Sequence, residues 1–391
     1  VGSTSSGTGN FGIYNEATFN NNSDGLLTLD RGFVTNLRNL SGTFNNDGTI
    51  TIGGIIGARY GIWNSATLNN NAGGQINIDR ASSLGGPEGL YNNGSFHNSG
   101  ELIIGANGHG GQNGLQNYST FNNNAGGEIK IDRTSMAGLG NYTGTFTNAS
   151  SIIIGANAGV GPFGVWNQAT FNNNSGGEIH IDRASNSGIN NQSGFTNSAT
   201  IVVGALGGVF SGLSNTGGNF NNSTCDALLH IASNSRIFLN SGTISNAGRI
   251  IENASGNSSI TSNSGTVQNL NGGTFSITTN TGGLTTATGD IWTGCLSTDW
   301  HTAGNWFDGS VPTTTDNVVI PNAINDPVIS AAAAARSVNV ETGGALTVEA
   351  TGSLPINSAA SPLFTNSGTV VNEGTISLNT SASFKFHRLL N

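Results

Sequence analysis

The sequence has few charged residues, two cysteines, one methionine and no long apolar run, and these shortages narrow what the protein can be. Only 8% of the 391 residues are charged, against about 25% in an ordinary domain. Twelve basic and 21 acidic side chains give a formal charge of −9, and without a basic patch we expect no nucleic-acid partner. No segment is long and apolar enough to span a membrane.

The potential metal ligands are few and dispersed. Cys225 and Cys295 stand 70 residues apart, and neither has a histidine beside it, so no metal-ligand spacing is present. A single disulfide between the two cysteines stays open at this point. The histidines occupy unrelated contexts, at His97, His109, His180, His230, His301 and His387. We therefore expect neither a metal nor another cofactor.

A phenylalanine returns about every 25 residues over the first 220 positions, with one leucine in its place. The positions are Phe19, Phe44, Leu68, Phe96, Phe121, Phe146, Phe171, Phe195 and Phe220. A fixed period between about 20 and 50 residues indicates a repeat architecture in which each unit stacks on its neighbours. The phenylalanines are then expected to form one apolar column, with successive coils about 4.8 Å apart.

Each repeat contains three short runs in which apolar and polar residues alternate, the period of a strand. One copy reads 164–167, 169–173 and 177–183, and turn-tolerant Asn, Gly and Ser separate the runs. Three strands in about 25 residues are too few for a propeller blade, and the leucine pattern of leucine-rich repeats is absent. The sequence predicts an all-β parallel β-helix, or β-solenoid, with three short strands per coil.

Asparagines recur at matched points of the Gly-x-x-Asn runs and of the coils between them. A side-chain amide both donates and accepts, so stacked amides can form hydrogen-bonded ladders along the axis. We predict a ladder for this set and interpret the Asn-Asn-Asn stretches as turn residues. The set comprises Asn15, Asn64, Asn92, Asn117, Asn141, Asn167 and Asn191.

A second period of two coils lies on the first. Four aspartates, each followed by arginine, recur every second coil, and the intervening coils have Gly-Gly or Gly-Ala at that point. We predict that these aspartates form a line on the outer surface, about 10 Å apart. Solvated ion pairs with the arginines and a ligand-binding row are both open interpretations. The aspartates are Asp30, Asp79, Asp132 and Asp182.

Tyr14, Trp63, Gln116 and Trp166 occupy the position just before a ladder asparagine. Strand alternation directs them outward if the preceding aliphatic residues point inward. Aromatic rings at this spacing can stack on sugar rings or on another protein, and packing beneath a loop is the alternative. Tyr14, Trp63 and Trp166 are therefore our candidate contact residues, together with the four aspartates.

The residue pattern changes at about residue 284, and the segment that follows contains Trp292, Trp300 and Trp306. We divide the chain into a β-helix repeat domain at 1–283, a tryptophan-rich insertion at 284–335, and further coils with a C-terminal strand at 336–391. The tryptophan-rich stretch and the coil at 344–348 resemble segments of secreted, adhesin-like repeat proteins of Bacteroidota that the type IX system exports. The resemblance covers roughly 290–380 and implies an extracellular location at the cell surface, without catalytic residues.

No unique constellation of catalytic groups stands out, because the acidic residues recur once per repeat. We expect a non-enzymatic structural or adhesive protein that assembles head to tail with copies of itself into a surface fibre. The strand-like tail would mediate this assembly through Phe384, Phe386, Leu389 and Leu390. The alternative is a β-helix protein that binds, or less readily cleaves, surface polysaccharide.

Overall fold

The structure, a computed structural model, describes residues 10–30, 32–53, 58–79, 88–207, 209–232, 236–253, 258–270, 275–358 and 362–380. These ranges consist of short parallel strands that stack as coils, with one 3-10 turn at Ala303–Asn305 as their helical content. The chain is a β-solenoid, as the sequence predicts. Contacts divide it into two compact units, Val1–Asn246 with Ile250–Ser262 and Asn271–Thr278, and Ala247–Arg249 with Asn263–Leu270 and Thr279–Asn391.

Thirty strands form ten coils of three. They are β1 Phe11–Asn15, β2 Thr18–Asn21, β3 Leu26–Leu29, β4 Thr35–Asn39, β5 Thr43–Asn46, β6 Thr49–Ile52, β7 Tyr60–Asn64, β8 Thr67–Asn70, β9 Gln75–Ile78, β10 Glu88–Asn92, β11 Ser95–Asn98, β12 Glu101–Ile104, β13 Gly111–Asn117, β14 Thr120–Asn123, β15 Glu128–Ile131, β16 Thr134–Asn141, β17 Thr145–Asn148, β18 Ser151–Ile154, β19 Phe163–Asn167, β20 Thr170–Asn173, β21 Glu178–Ile181, β22 Ser187–Asn191, β23 Gly194–Asn197, β24 Thr200–Val203, β25 Ser211–Asn215, β26 Asn219–Asn222, β27 Leu228–Ile231, β28 Arg236–Asn240, β29 Thr243–Asn246 and β30 Arg249–Glu252.

The first, second and third strands of successive coils form three parallel sheets, here called sheets A, B and C, of 10, 12 and 12 strands. The strands after the tenth coil are β31 Ser258–Asn263, β32 Thr266–Asn269, β33 Phe275–Asn280 and β34 Gly283–Thr285. Most strands of sheets B and C have four residues, with the second and fourth buried. This alternation follows from the strand period of two, which directs every other side chain into the coil.

The predicted phenylalanine column forms the core side of sheet B. Phe96, Phe121, Phe146 and Phe171 pair residue to residue in adjacent strands, and their ring centroids lie 4.7 to 4.8 Å apart. The interplanar angles of these pairs are 4 to 13°, so the rings stack at the coil spacing. Leu68 continues the column where phenylalanine is absent.

The predicted asparagine ladder is present at the end of sheet A. Each amide nitrogen donates to the amide oxygen of the next coil over 2.8 to 3.0 Å, from Asn15 to Asn240. The second amide hydrogen goes to a backbone carbonyl, as from Asn39 to Thr67. The members between the two ends are fully or almost fully buried, and their hydrogen bonds satisfy them there.

A second buried ladder at the end of sheet B corrects our interpretation of the Asn-Asn-Asn stretches. The middle residue of each stretch, such as Asn70, Asn123 or Asn173, points inward and bonds its neighbours above and below. This ladder runs from Asn21 to Asn246 over 2.7 to 2.8 Å. The turn interpretation is therefore wrong for the middle residue, because strand alternation still governs this position.

The strands of the second unit from residue 290 onward are also parallel. They are β35 Asp290–Ile291, β36 Asn317–Ile320, β37 Val328–Ile329, β38 Ser337–Val340, β39 Ala345–Val348, β40 Ser353–Ser358, β41 Phe364–Asn366, β42 Thr369–Asn372 and β43 Thr375–Thr380. They form sheets of four, three and two strands. The tryptophan-rich segment contributes β35 and β36 to the four-stranded sheet, beside β38 and β41.

The three tryptophans of this unit lie in its core. Trp306 contacts Trp292 and Trp300 edge to face, with centroids 5.0 and 4.7 Å away. All three are at most 1% exposed, and they pack against valines, isoleucines and leucines of the following coils. Asn305 organises the loop around them by accepting from the amides of Leu296 and Ser297. These tryptophans therefore stabilise the unit and present no surface for a ligand.

Candidate functional site

The outer side of sheet A carries a row of aromatic side chains that we call the aromatic face. Strand pairing aligns one residue per coil, immediately before the ladder asparagine. The inward neighbours, such as Ile62 and Val165, are completely buried, so alternation directs the row outward. Its members in coil order are Tyr14, Arg38, Trp63, Tyr91, Gln116, Gly140, Trp166 and Asn190.

The aromatic face is continuous over five coils, whereas the sequence predicted rings about 10 Å apart on alternate coils. Trp63 contacts Tyr91 edge to face, with centroids 5.4 Å apart, and Tyr91 lies 5.2 Å from Tyr118. Tyr118 stacks on Tyr142 at 5.3 Å, and Tyr142 meets Trp166 at 5.5 Å. All five side chains are partly exposed. The face therefore offers a run of ring surfaces at roughly the coil spacing.

Tyr118 and Tyr142, which we did not select from the sequence, complete this run. They follow the ladder asparagine instead of preceding it, and their rings turn back over the strand. At Gly140 a β-carbon would lie 2.6 Å from the ring of Tyr142, so the glycine leaves the space that this ring occupies. In the preceding coil Tyr118 lies beside Gln116, and the Gln116 amide donates to the Tyr118 hydroxyl over 3.4 Å.

Burial of the tyrosine hydroxyls in the run of rings raises their pKa values. Desolvation raises the pKa of Tyr142 to about 12, and nearby Glu88 adds to the shift. The pKa values of Tyr91 and Tyr118 are also raised, first by burial. These phenols are therefore neutral hydrogen-bonding groups at physiological pH.

Glu88 lies beside the tyrosines and is 4% exposed. Its carboxyl accepts from the backbone amide of Asn113 over 2.7 Å and from the Asn113 side chain over 3.3 Å. The pairing of β10 with β13 shifts register at this point. The Glu88 carboxyl therefore provides the hydrogen-bond acceptor for the backbone amide of Asn113 in β13. Burial raises the pKa of Glu88 to about 7, although the Asn113 hydrogen bonds act in the opposite direction.

Arg38 occupies the row between Tyr14 and Trp63, another position that we did not select. Its guanidinium carbon lies 3.8 Å from the centroid of the Trp63 ring, the geometry of a cation–π contact. Burial lowers the pKa of Arg38. The sequence signal was available, because Arg38 and Tyr91 both precede a ladder asparagine.

The four predicted aspartates follow sheet C at the same corner in every second coil, but three of them are not on the surface. Asp30, Asp132 and Asp182 are at most 5% exposed, and Asp79 is half-buried. The prediction of an exposed line is wrong. Two coil spacings still separate successive aspartates in the stack.

Three of the aspartates bind backbone amides of the next coil. One carboxylate oxygen of Asp132 accepts from the amides of Asn157 and Ala158, each over 3.0 Å. Asp79 binds the amide of Asn107 over 2.9 Å, and Asp182 binds that of Leu206 over 2.7 Å. Asp79, Asp132 and Asp182 therefore each order the Gly-Ala corner of the next coil, which explains the two-coil period over these coils. This use of the carboxylates leaves no outward row for a ligand.

Two of the arginines after the four aspartates, Arg133 and Arg183, bind the preceding coil, while Arg31 and Arg80 lie outside the described residues. Arg133 donates to the carbonyls of Gly105 and Ala106, and Arg183 donates to those of Gly155 and Ala156. Both arginines have positive φ angles, 55° and 53°, and this left-handed backbone turns them away from the aspartates. In the described chain neither arginine forms an ion pair, so the ion-pair interpretation is wrong for them.

The predicted assembly residues Phe384, Phe386, Leu389 and Leu390 lie outside the described residues. The disulfide that the sequence left open is present, since Cys225 and Cys295 are both disulfide-bonded. Over the described ranges, no cluster of three or more His, Cys, Asp or Glu side chains is placed to hold a metal ion. No helix in these ranges has the length and hydropathy of a membrane span.

Comparisons with known proteins give little information about the aromatic face. A family described as a domain of unknown function (DUF8693) matches residues 291–385, which exclude it. No curated protein matches the chain. The crystal structure of a TibC-catalysed, hyper-glycosylated TibA fragment is similar, at 15% identity over 94% of this chain and 99% of that chain, with a TM-score of 0.30. So low a score supports no inference about function.

Proposed function

We propose that this protein is an extracellular, non-enzymatic scaffold that adheres to surface glycans through the aromatic face. The observation that carries the proposal is the unbroken run of partly exposed rings from Trp63 to Trp166. Sugars present C–H faces to aromatic rings and hydroxyls to hydrogen-bonding groups. The tyrosines of the run supply both a ring and a hydroxyl, whereas Trp63 and Trp166 supply ring contacts, because their indole nitrogens are buried. The coil spacing is close to the length of one pyranose unit, so successive rings suit a linear glycan.

Three features support the scaffold part of the proposal. The two ladders and the phenylalanine column hold the coils in register, so the rings keep fixed spacings. A disulfide is typical of an oxidising compartment outside the cytosol. Most charged side chains of the repeats bind backbone or each other, which fits a structural role. Export by a type IX pathway, suggested by the sequence resemblance, stays a prediction.

The test is a glycan array probed with the wild-type protein, followed by titration of each bound glycan. We expect Trp63→Ala or Trp166→Ala to weaken binding up to about tenfold, because an aromatic contact contributes on the order of 0.5–1.5 kcal/mol and about 1.4 kcal/mol corresponds to a factor of ten in affinity. Leu26→Ala is the matched control, because Leu26 is an exposed apolar residue on sheet C. Equal loss in the control, or no bound glycan, would contradict the proposal.

The same samples test the absence of catalysis. Each bound glycan is incubated with the protein and examined for new reducing or unsaturated ends. We expect none, because Glu88, the carboxyl beside the aromatic run, accepts from a backbone amide and no second carboxylate is paired with it among the described residues. Glycan cleavage that Glu88→Gln abolishes would establish an enzyme instead.

Assembly into a head-to-tail fibre is a separate proposal that rests on the sequence of the tail. Electron microscopy of the purified chain, with and without residues 384–391, tests it. Filaments that disappear on deletion are expected, and monomers at all concentrations in both samples would contradict it.

A further inference from the structure

The described cations of the first ten coils differ in whether they have protein partners. Lys130 bridges Glu101 and Glu128 at 3.0 and 2.8 Å, and Arg133 and Arg183 bind backbone carbonyls. Arg38 and Arg59 have no carboxylate or carbonyl partner among the described residues. Arg38 instead lies against Trp63 of the aromatic face, and Arg59 lies against Tyr60, the first residue of the strand that carries Trp63.

The two unpaired guanidinium groups lie at one end of the face. Arg38 stacks on Trp63 at 3.8 Å, and Arg59 lies 5.5 Å from the centroid of Tyr60. Tyr60 and Trp63 contact each other, with centroids 5.1 Å apart, so both cations flank one ring pair. Nη1 of Arg38 is buried and has no hydrogen-bond partner in the described chain. Because Nη1 is buried, the in-plane donors of Arg38 that a ligand can reach are Nε and Nη2, which form one edge of the planar guanidinium fork and point away from the stacked ring.

The nearby carboxyl of Glu88 does not neutralise these two arginines. The carboxyl of Glu88 is directed to Asn113 and is 4% exposed. Tyr14, beside Arg38 in the row, is 47% exposed. The surface therefore combines partly exposed rings with positive charge, in a protein whose net charge is −9.

We infer that Tyr14, Arg38, Trp63 and Tyr91, with Arg59, form a subsite for a hexuronic acid unit of an acidic polysaccharide. The inference rests on the proposed glycan adhesion and specifies its ligand class. The rings contact the C–H face of the sugar, and the guanidinium fork of Arg38 binds the carboxylate in two parallel hydrogen bonds. Arg59 adds positive charge beside it. At the other end of the run, Trp166 has Gly140 and Asn190 as its row neighbours, so that end provides neutral stacking.

The test compares oligogalacturonate with its methyl ester, which has the same rings without the charge, by calorimetry at low and high salt. We expect the wild type to bind the acid about tenfold or more tightly than the ester, because a charge-assisted hydrogen bond contributes on the order of 1.5–3 kcal/mol. Arg38→Gln removes this preference, so that the acid and the ester bind with similar affinity. Arg38→Lys restores the preference only in part, since lysine lacks the planar fork.

Control variants separate this inference from the proposed adhesion. Trp166→Ala weakens acid and ester equally, while Arg59→Gln reduces the preference for the acid and its salt dependence. Equal affinity of the wild type for acid and ester, or a preference that survives Arg38→Gln, overturns the subsite while glycan adhesion stands. Equally tight binding of poly-glutamate also overturns it, because the site would then recognise charge without the sugar.

Discussion

At the residue scale, Glu252 is a carboxyl in a position that other coils give to isoleucine or valine. It is the fourth residue of β30, and the fourth residues of β24 and β27 are Val203 and Ile231. Glu252 is 1% exposed, and neither carboxyl oxygen has a hydrogen-bond partner among the described residues. Burial raises the pKa of Glu252 to about 8. An uncompensated buried charge is costly, so the group favours its protonated form.

The pH dependence of stability follows from this shift. Because the pKa is raised in the folded state, Glu252 favours folding below its unfolded pKa near 4.5, and this contribution is lost as the pH rises through about 8. We predict that Glu252→Gln increases the free energy of unfolding at pH 8 by about 2 kcal/mol relative to wild type, with little change at pH 4. Urea titrations at both pH values measure it. A gain of equal size at both would show that titration is not the cause.

At the element scale, the ladders make each strand depend on the strands above and below it. Asn173 of β20 accepts from Asn148 and donates to Asn197 over 2.8 and 2.7 Å. Its neighbour Asn172 points outward and is only half-buried. The same residue type in one strand therefore performs two tasks, and the strand period decides which.

We predict that Asn173→Ala lowers the free energy of unfolding by about 3 kcal/mol, because it removes the bonds to Asn148, Asn197 and the Thr200 carbonyl and leaves one N–H of the buried Asn148 amide unpaired. Asn172→Ala, the matched control, changes it by less than about 0.5 kcal/mol. Denaturant unfolding measures both, and hydrogen exchange should show the loss concentrated in the adjoining coils. Equal effects of the two substitutions would show that the ladder does not stabilise the stack.

At the scale of the whole molecule, the disulfide is the covalent constraint that stacking does not supply. Coils of a solenoid contact only their neighbours, so stability adds up along the chain. A bond between residues 70 positions apart, Cys225 and Cys295, instead acts on the unfolded state by closing a long loop.

We predict that Cys225→Ser with Cys295→Ser lowers stability by about 4 kcal/mol, from the loop-closure entropy of a loop of this length. Thermal unfolding of the oxidised wild type and the double variant measures the effect. Reduced wild type is the control and should match the variant. If reduction and substitution both leave the transition unchanged, the disulfide is not a stabilising element.

The sequence by itself determined the solenoid, the phenylalanine column and the Gly-x-x-Asn ladder. In a parallel stack, residues one period apart become direct neighbours, so recurrence at about 25 residues translates into contact. Phe121, Phe146 and Phe171 stack because their registers match, and alternation within a strand assigns their side. Nothing beyond period and alternation was needed for these features.

Only the tertiary structure decided the corners and the outer face. Asp132 turns inward and Arg133 turns back because the backbone at the corner leaves the strand conformation, with φ of 55° at Arg133. Alternation predicts nothing at such a residue. Tyr142, which directly follows β16, joins the aromatic face because Gly140 within that strand leaves room for the ring. The backbone dihedrals at the corners and the volumes of neighbouring side chains therefore decide where the charges and rings lie. The repeat period of the sequence carries no information about either.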